Sequence, residues 1–386
     1  MRTVTVADVP NAGPLASADF DGDGVLDVAV TQTDADGHPE LVLLKGHNDG
    51  TFTPTAHAPI GADPADVLIA DVDHDGHLDI VVSNMGSGSI SVILGDGHGG
   101  IKDVVNSPAG STPGRLVMFD VDGDGVPDLV VLDPQTGQLT VLRTKGGGLF
   151  RPADALTVRS GGTASDFAEL DVNGDGRPDL LVALPDQNVV RVFLGTPDQG
   201  FVANTDLRGN QPMSVTVGDF NGDGRPDVLV GNGGDNTLSL FPGIRDGLGP
   251  AETAAVGVPA EQLLGTDLNN DGRVDVVATD PAAGVVRLVP SRADGTLGPA
   301  TDVVVDSPVG GITIGDVNGD GLPDVLVSVP GRGIVVVALN TSVAPRPLDR
   351  DGCSLMRSGS RGSGWLGIGA CMVWILACQQ RRRRRG

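Results

Sequence analysis

Tyrosine is absent from the 386-residue sequence, and aromatic residues make up only 3% of it. Both tryptophans (Trp365, Trp374) and all three cysteines (Cys353, Cys371, Cys378) fall in the last 35 residues. The body of the chain therefore has neither a disulfide framework nor a thiolate zinc site. Histidine is confined to positions 38, 47, 57, 74, 77 and 98. No His-Glu-x-x-His, Gly-x-Ser-x-Gly or Cys/His pairing occurs, and no catalytic set is expected. Basic residues are scarce as well. Nine Arg and two Asp lie beyond residue 340, which leaves 17 basic against 48 acidic groups in residues 1–340, a net of −31 within a whole-chain −24. Such a body repels phosphate backbones, which argues against nucleic acid as a partner. No segment of it keeps a helical period. What the chain does have is 39% hydrophobic residues, more than a disordered polyanion carries and enough for a sizeable core.

The dominant feature is a repeat. The pattern Asp-x-Asp/Asn-x-Asp-Gly-x-x-Asp occurs seven times, starting at Asp19, Asp71, Asp120, Asp171, Asp219, Asp267 and Asp316, at intervals of 48 to 52 residues. Each copy runs into a Val-rich stretch bounded by Gly, Pro and Asn, the mark of a buried strand. One apolar segment precedes each motif. A third run (SISVILG from Ser89, GIVVVAL from Gly333) and a weaker, more polar fourth (GFVANTD from Gly200) follow it. Four strands per repeat, seven times over, predict an all-β, seven-bladed propeller of antiparallel four-stranded blades spanning residues 1–340. A β-solenoid is the alternative, though it usually needs shorter repeats. The last repeat stops after its third strand near Asn340, and residues 3–7 form a strand with no repeat of their own. Pairing them with 334–338 would close the ring and remove two open edges.

The motif reads as a metal loop. Carboxylates at positions 1, 3, 5 and 9 converge on one point, and their repulsion opposes folding unless a cation neutralises it. The predicted ligands are Asp19, Asp21, Asp23 and Asp27; Asp71, Asp73, Asp75 and Asp79; Asp120, Asp122, Asp124 and Asp128; Asp171, Asn173, Asp175 and Asp179; Asp219, Asn221, Asp223 and Asp227; Asp267, Asn269, Asp271 and Asp275; and Asp316, Asn318, Asp320 and Asp324. This density of hard oxygen donors suits Ca²⁺, at about seven sites, better than the stricter octahedron of Mg²⁺. On ligand charge alone, the three all-aspartate loops should bind most tightly. Position 6 is always Gly, as a sharp turn with positive φ requires. Position 7 varies freely, as a backbone carbonyl ligand permits. An EF-hand needs a bidentate Glu at position 12; here that position is Val or Ala inside a strand, so the EF-hand and dockerin readings fail.

With Gly218–Asp227 reading GDFNGDGRPD, residues 1–340 resemble the FG-GAP/VCBS repeats of the integrin-α-like propellers. The resemblance implies a calcium-stabilised propeller used for adhesion or recognition, with metal in the loops between first and second strands. The family's Phe-Gly signature is degraded, surviving as Phe52, Phe150 and Phe201.

Beyond residue 340 the composition changes. Residues 341–364 form a Pro/Arg/Gly/Ser linker with a Gly-Cys pair at Cys353. Residues 365–378 (WLGIGACMVWILAC) are apolar, and five arginines follow. Fourteen helical residues reach about 21 Å, short of a ~30 Å hydrocarbon core but adequate for a processed signal. The order resembles a MYXO-CTERM-type sorting signal, which implies export and anchoring or cleavage near Cys353. The arginines would stay cytoplasmic and the propeller outside. A plain tail anchor is the alternative. Met1-Arg-Thr-Val-Thr-Val has no apolar h-region, so the expectation is a start downstream of an export signal or another secretion route.

The expected function is therefore adhesion or protein recognition at the cell surface, without catalysis. Carbohydrate binding is the rival, disfavoured because residues 1–340 lack Trp and Tyr as stacking platforms. A calcium-loaded spacer with no ligand is the third reading. The ligand is not encoded in any motif of the chain.

Overall fold

A computed structural model describes residues 2–341, apart from 7, 8, 148, 198, 199, 246, 293 and 294. The expected linker at 341–364, apart from residue 341, and the apolar segment and arginine cluster at 365–386 lie outside the described residues.

The fold is an all-β propeller of seven four-stranded antiparallel blades. Blade 2 shows the pattern: Pro64–Ala70, Asp79–Asn84, Ser89–Gly95 and Ile101–Pro108, ordered from the inside outwards. The second strand of each blade is the most apolar because neighbouring blades cover both of its faces. Asp79–Asn84, Asp179–Leu184, Asp227–Asn232 and Asp324–Val329 are buried at every residue. Continuous apolar runs, not alternating ones, are what such two-sided burial demands. Outer strands are half in solvent: in Phe201–Arg208 most residues are exposed, Val202 among them.

The core is accordingly divided into seven apolar wedges, each filled by two adjacent blades. One holds Val117, Leu139, Phe167 and Leu180 of blades 3 and 4. Another joins the two ends of the described chain, with Leu15, Val28 and Leu44 of blade 1 against Leu326, Val335 and Val337 of blade 7. Blade 7 takes Gly311–Gly315, Asp324–Val329 and Ile334–Leu339 from the C-terminal side, and its outer strand, Arg2–Val6, from the N-terminus. The register runs from Arg2 opposite Leu339 to Val6 opposite Val335.

Antiparallel order fixes what each face carries. The motif loops, between first and second strands, share one face with the turns between third and fourth strands. Turns between second and third strands lie on the other. Two of these, Pro185–Gln187 and Pro330–Arg332, are short 3-10 turns closed by Asn188 and Gly333 in left-handed geometry.

Candidate metal centres

Each loop is wound by its own carboxylates. The position-1 aspartate accepts from the N–H groups of positions 5 and 6; in the first loop Asp19 Oδ1 takes Asp23 N (3.2 Å) and Oδ2 takes Gly24 N (2.9 Å). The same pair of bonds recurs in all seven copies, down to Asp316 with Asp320 and Gly321. Position 5 accepts from position 7, as Asp223 Oδ1 does from Arg225 N (2.9 Å). The winding needs left-handed backbone at positions 4 and 6. Gly24 has φ +85° and Gly321 +85°, and the two non-glycine residues at position 4, His74 and Asn270, sit at +60° and +56°.

Three carboxylate triads bring ligand oxygens within 4.8 Å of one another: Asp19, Asp21 and Asp27; Asp71, Asp73 and Asp79; Asp120, Asp122 and Asp124. In the other four loops asparagine replaces the position-3 acid. Two further observations bear on whether a cation fits. Ammonium groups already sit on the acids of two loops: Lys45 Nζ on Asp21 and on Asp23 (2.9 Å), and Lys102 Nζ on Asp73 (3.2 Å) and Asp75 (2.8 Å). In the sixth loop Asn269 Oδ1 is buried with no hydrogen-bond donor, an oxygen at a ligand position left for a cation to satisfy. The donor set is hard oxygen throughout, and these acidic clusters are competent to hold a metal ion.

Position 9 has a second role that the spacing did not disclose. All seven of these aspartates are buried. Their Oδ1 atoms accept from a backbone N–H at the end of the third strand: Gly46, Gly95, Thr144, Gly195, Gly243, Ser291 and Asn340, at 2.7–3.0 Å. In six, Oδ2 accepts from position 2, as Asp79 does from Val72 N (2.8 Å). The carboxylate thus ties the loop to the sheet. Burial pushes these acids up, Asp275 to about 6 and Asp324 to about 7. In the first two loops position 5 moves the other way: the hydrogen bond from Lys45 leads in holding Asp23 below the usual carboxylate range, and that from Lys102 does so for Asp75.

The sites also bridge blades. Gly99 N, in the third turn of blade 2, donates to Phe20 O in the loop of blade 1 (3.3 Å), and Gly50 N of blade 1 donates to Val317 O of blade 7 (3.0 Å). Asn340 Nδ2 makes the equivalent bond to Leu268 O (2.6 Å) where blade 7 has no such turn. Lys45, Lys102 and Arg143 were missed at the sequence level, although two of the chain's only three lysines converge on these loops. A further acidic group, Asp34, Asp36 and His38, lies in a turn on the opposite face of blade 1, outside the motif.

The family follows from this geometry. FG-GAP-like repeats match residues 19–82, 71–131, 120–182, 171–230 and 267–327, and the chain belongs to that family. No curated protein matches the sequence. Among solved structures, BBS1N in complex with ARL6DN superposes with a TM-score of 0.59 at 14% identity, over 90% of this chain and 98% of that one. An Agrocybe aegerita lectin specific for non-reducing terminal N-acetylglucosamine gives 0.51 at 20%, over 85% and 88%. The exotype rhamnogalacturonan lyase YesX gives 0.50 at 11%, over 88% and 76%. At these identities the likeness is one of fold. An FG-GAP propeller of this kind is compatible with a protein- or carbohydrate-recognition module.

Proposed function

We propose that this chain is an exported, surface-anchored, calcium-stabilised propeller that recognises another protein and catalyses no reaction. The observation that carries the reading is one donor set repeated seven times, with its acids gathered at the junctions between blades. Calcium there neutralises the loops and fastens each blade to the next, so the ring is rigid only outside the cell, where calcium is plentiful. The positions assigned to the metal are the twenty-eight named above, with the position-7 carbonyl. They take 24 of the 48 acidic residues in 1–340, and acids tied up as ligands do not serve proton transfer.

The recognition surface is the face opposite the metal loops, where short polar turns at 84–89, 185–188, 232–236, 280–284 and 330–333 form a fixed rim. The tail supports the location: an apolar segment followed by arginines suits a sorting signal or anchor with the propeller outside. The complex of BBS1N with ARL6DN favours a protein partner, and the N-acetylglucosamine lectin keeps a glycan as the second reading. The lack of Trp and Tyr in 1–340 weighs against the glycan, since sugar rings pack on aromatic faces.

The test is metal content after dialysis against calcium, followed by calcium-dependent pull-down from cell-surface extract and a glycan array. Near-stoichiometric calcium at about seven per chain, a protein captured only with calcium, and a blank array are expected. A calcium-free protein overturns the metal reading. A strong glycan hit without protein capture overturns the choice of partner.

A further inference from the structure

The three loops with four acids differ from the other four in a way that ligand counting does not capture. The loop backbone consumes one oxygen of each acid at positions 3 and 5. Asp21 Oδ1 accepts from Asp23 N and Asp23 Oδ1 from Val25 N; Asp73 Oδ1 and Asp75 Oδ1 do the same in the second loop. The oxygens this leaves, Oδ2 of both residues, are the ones held by Lys45 Nζ in blade 1 and by Lys102 Nζ in blade 2. The lysines arrive by different routes. Lys45 is near the end of the third strand, Pro39–Gly46, and Lys102 is at the start of the fourth, Ile101–Pro108. In blade 3, Arg143 holds Asp122 (2.6 Å) and Asp128 (3.0 Å).

Where position 3 is asparagine, no lysine or arginine from another strand is paired with the loop's acids among the described residues. The position equivalent to Lys45 and Arg143 is Leu194, Pro242, Pro290 or Leu339. The asparagine's own amide serves instead: Asn173 Nδ2 donates to Asp175, Asn221 Nδ2 to Asp227 and Asn269 Nδ2 to Asp275, each at 3.2 Å. Among the described residues, the fourth negative charge and the cross-strand cation therefore occur together in three loops and are absent together in four. Three of the asparagine loops have a cation of a different kind, the position-7 arginine on the position-5 acid alone: Arg177 on Asp175 (2.6 Å), Arg225 on Asp223 (3.3 Å) and Arg273 on Asp271 (3.3 Å). Only in the all-aspartate loops, among the described residues, does one cation join the position-3 acid to a second acid.

We propose that Lys45, Lys102 and Arg143 are built-in competitors of the divalent cation, which hold the four-acid loops together without metal and weaken those loops' hold on it. This rests on the calcium reading above and offsets the order expected from ligand charge: the all-aspartate loops of blades 1–3 lose the lead their fourth acid would give them over the seventh loop, where position 7 is Leu322. A divalent ion entering the first loop must take Asp21 Oδ2 and Asp23 Oδ2 from an ammonium group already bonded to both. Release of two exposed ion pairs corresponds to roughly tenfold in affinity per site. Lys45 and Lys102 are positioning residues in this scheme, acting on the metal only through the acids they hold.

The experiment is calcium titration calorimetry on the full chain, stripped with EDTA, together with melting in EDTA. The proteins compared are the unaltered chain, Lys45→Met with Lys102→Met, the same positions as Lys45→Arg with Lys102→Arg, and Lys145→Met as a lysine outside the loops. The paired Met variant is expected to move two sites roughly tenfold tighter while melting at a lower temperature in EDTA. The paired Arg variant keeps the unaltered behaviour, and Lys145→Met changes neither quantity. Opposite signs in the two readouts are decisive, because a purely structural lysine would lower melting without tightening calcium. Calcium uptake with unchanged or weaker affinity in the paired Met variant overturns this proposal and leaves the calcium reading standing. No uptake by any of the proteins overturns both. Should the paired Met variant not fold, Lys102→Met alone, from a half-exposed lysine, gives the same comparison at one site.

Discussion

Asp227 is fully buried, and its two oxygens accept hydrogen bonds from the backbone N–H groups of Phe220 (3.0 Å), Asn221 (3.2 Å) and Gly243 (2.8 Å). Removing that carboxylate strands donors that water does not reach, at about 1–3 kcal/mol each. Asp227→Ala is therefore expected to lose at least about 3 kcal/mol in urea denaturation, in EDTA as well as in calcium. Asp223→Ala, at the exposed position 5, should lose stability chiefly in calcium; equal losses in EDTA would show that position 9 has no special role. A trace of this was legible in the sequence. Asparagine stands at position 3 in four loops and never at position 9, and an amide with one acceptor oxygen cannot serve donors on both sides. Burial also sets the pH response. It leads in raising Asp275 to about 6, Asp324 to about 7 and Glu169 to about 7, the last helped by Asp171 and Asp179. Between about pH 4 and 7 the folded protein keeps these protons while the unfolded chain has released them. Their contribution is thus complete below about pH 4 and lost as pH rises through 6 to 7. Asp23 and Asp75, whose values are lowered, act only below 3.8. In EDTA the protein should melt higher at pH 5 than at pH 7.5, a difference that calcium, which needs the deprotonated acids, should shrink or invert. A higher melting point at pH 7.5 in EDTA would contradict the argument.

A strand end recurs as a constraint on the element. The third strand ends against the motif loop, and a Cβ at Gly46, Gly95, Gly195 or Gly243 would stand 2.1–2.4 Å from the carbonyl oxygen of Leu26, Leu78, Pro178 or Pro226. Where blades 3 and 6 carry a side chain, it is a small hydroxyl bonded to that same carbonyl: Thr144 Oγ1 to Pro127 O (2.5 Å) and Ser291 Oγ to Val274 O (2.7 Å). Gly195→Val forces strand and loop apart and breaks the bond from Gly195 N to Asp179, so a loss of about 2–4 kcal/mol is expected. Gly195→Ser, able to copy Ser291, should lose clearly less by thermal melting; equal losses would mean that the hydroxyl does not substitute for the missing side chain. The number and order of strands were readable because the second and third strands are largely covered by neighbouring blades and are therefore rich in apolar residues. Outer strands were read less well. With one face in water, their pattern is weak, and their registers shift, as between Val141 and Arg143 or between Arg191 and Phe193. Blade 5 departs most, with a two-residue hairpin, Gly243–Ile244 with Gly247–Leu248, ahead of a short outer strand, Glu252–Ala255.

Closure belongs to the whole molecule. Six wedges join blades that follow one another in the chain, and each forms at the cost of closing a loop of about 49 residues. The seventh joins residues about 330 apart, a loop-closure term larger by roughly 1.7 kcal/mol. Arg2–Val6 offsets this by making blade 7 from both ends of the described chain. It covers an edge whose Val335, Val337 and Leu339 are buried, and Val9 N adds a bond to Gly333 O (3.1 Å) just beyond it. Deleting residues 1–9 reopens the strand Ile334–Leu339 as a free, flat and apolar edge. Uncovering those three side chains even in part costs about 2–4 kcal/mol, and the exposed edge is a template for pairing with another chain. The deletion is therefore expected to lower the melting temperature and to make light scattering on heating depend on protein concentration. Calcium should rescue it only partly, since metal in the loops of blades 6, 7 and 1 cannot replace a missing strand. An unchanged melting temperature would mean that the ring holds by its wedges and loops alone.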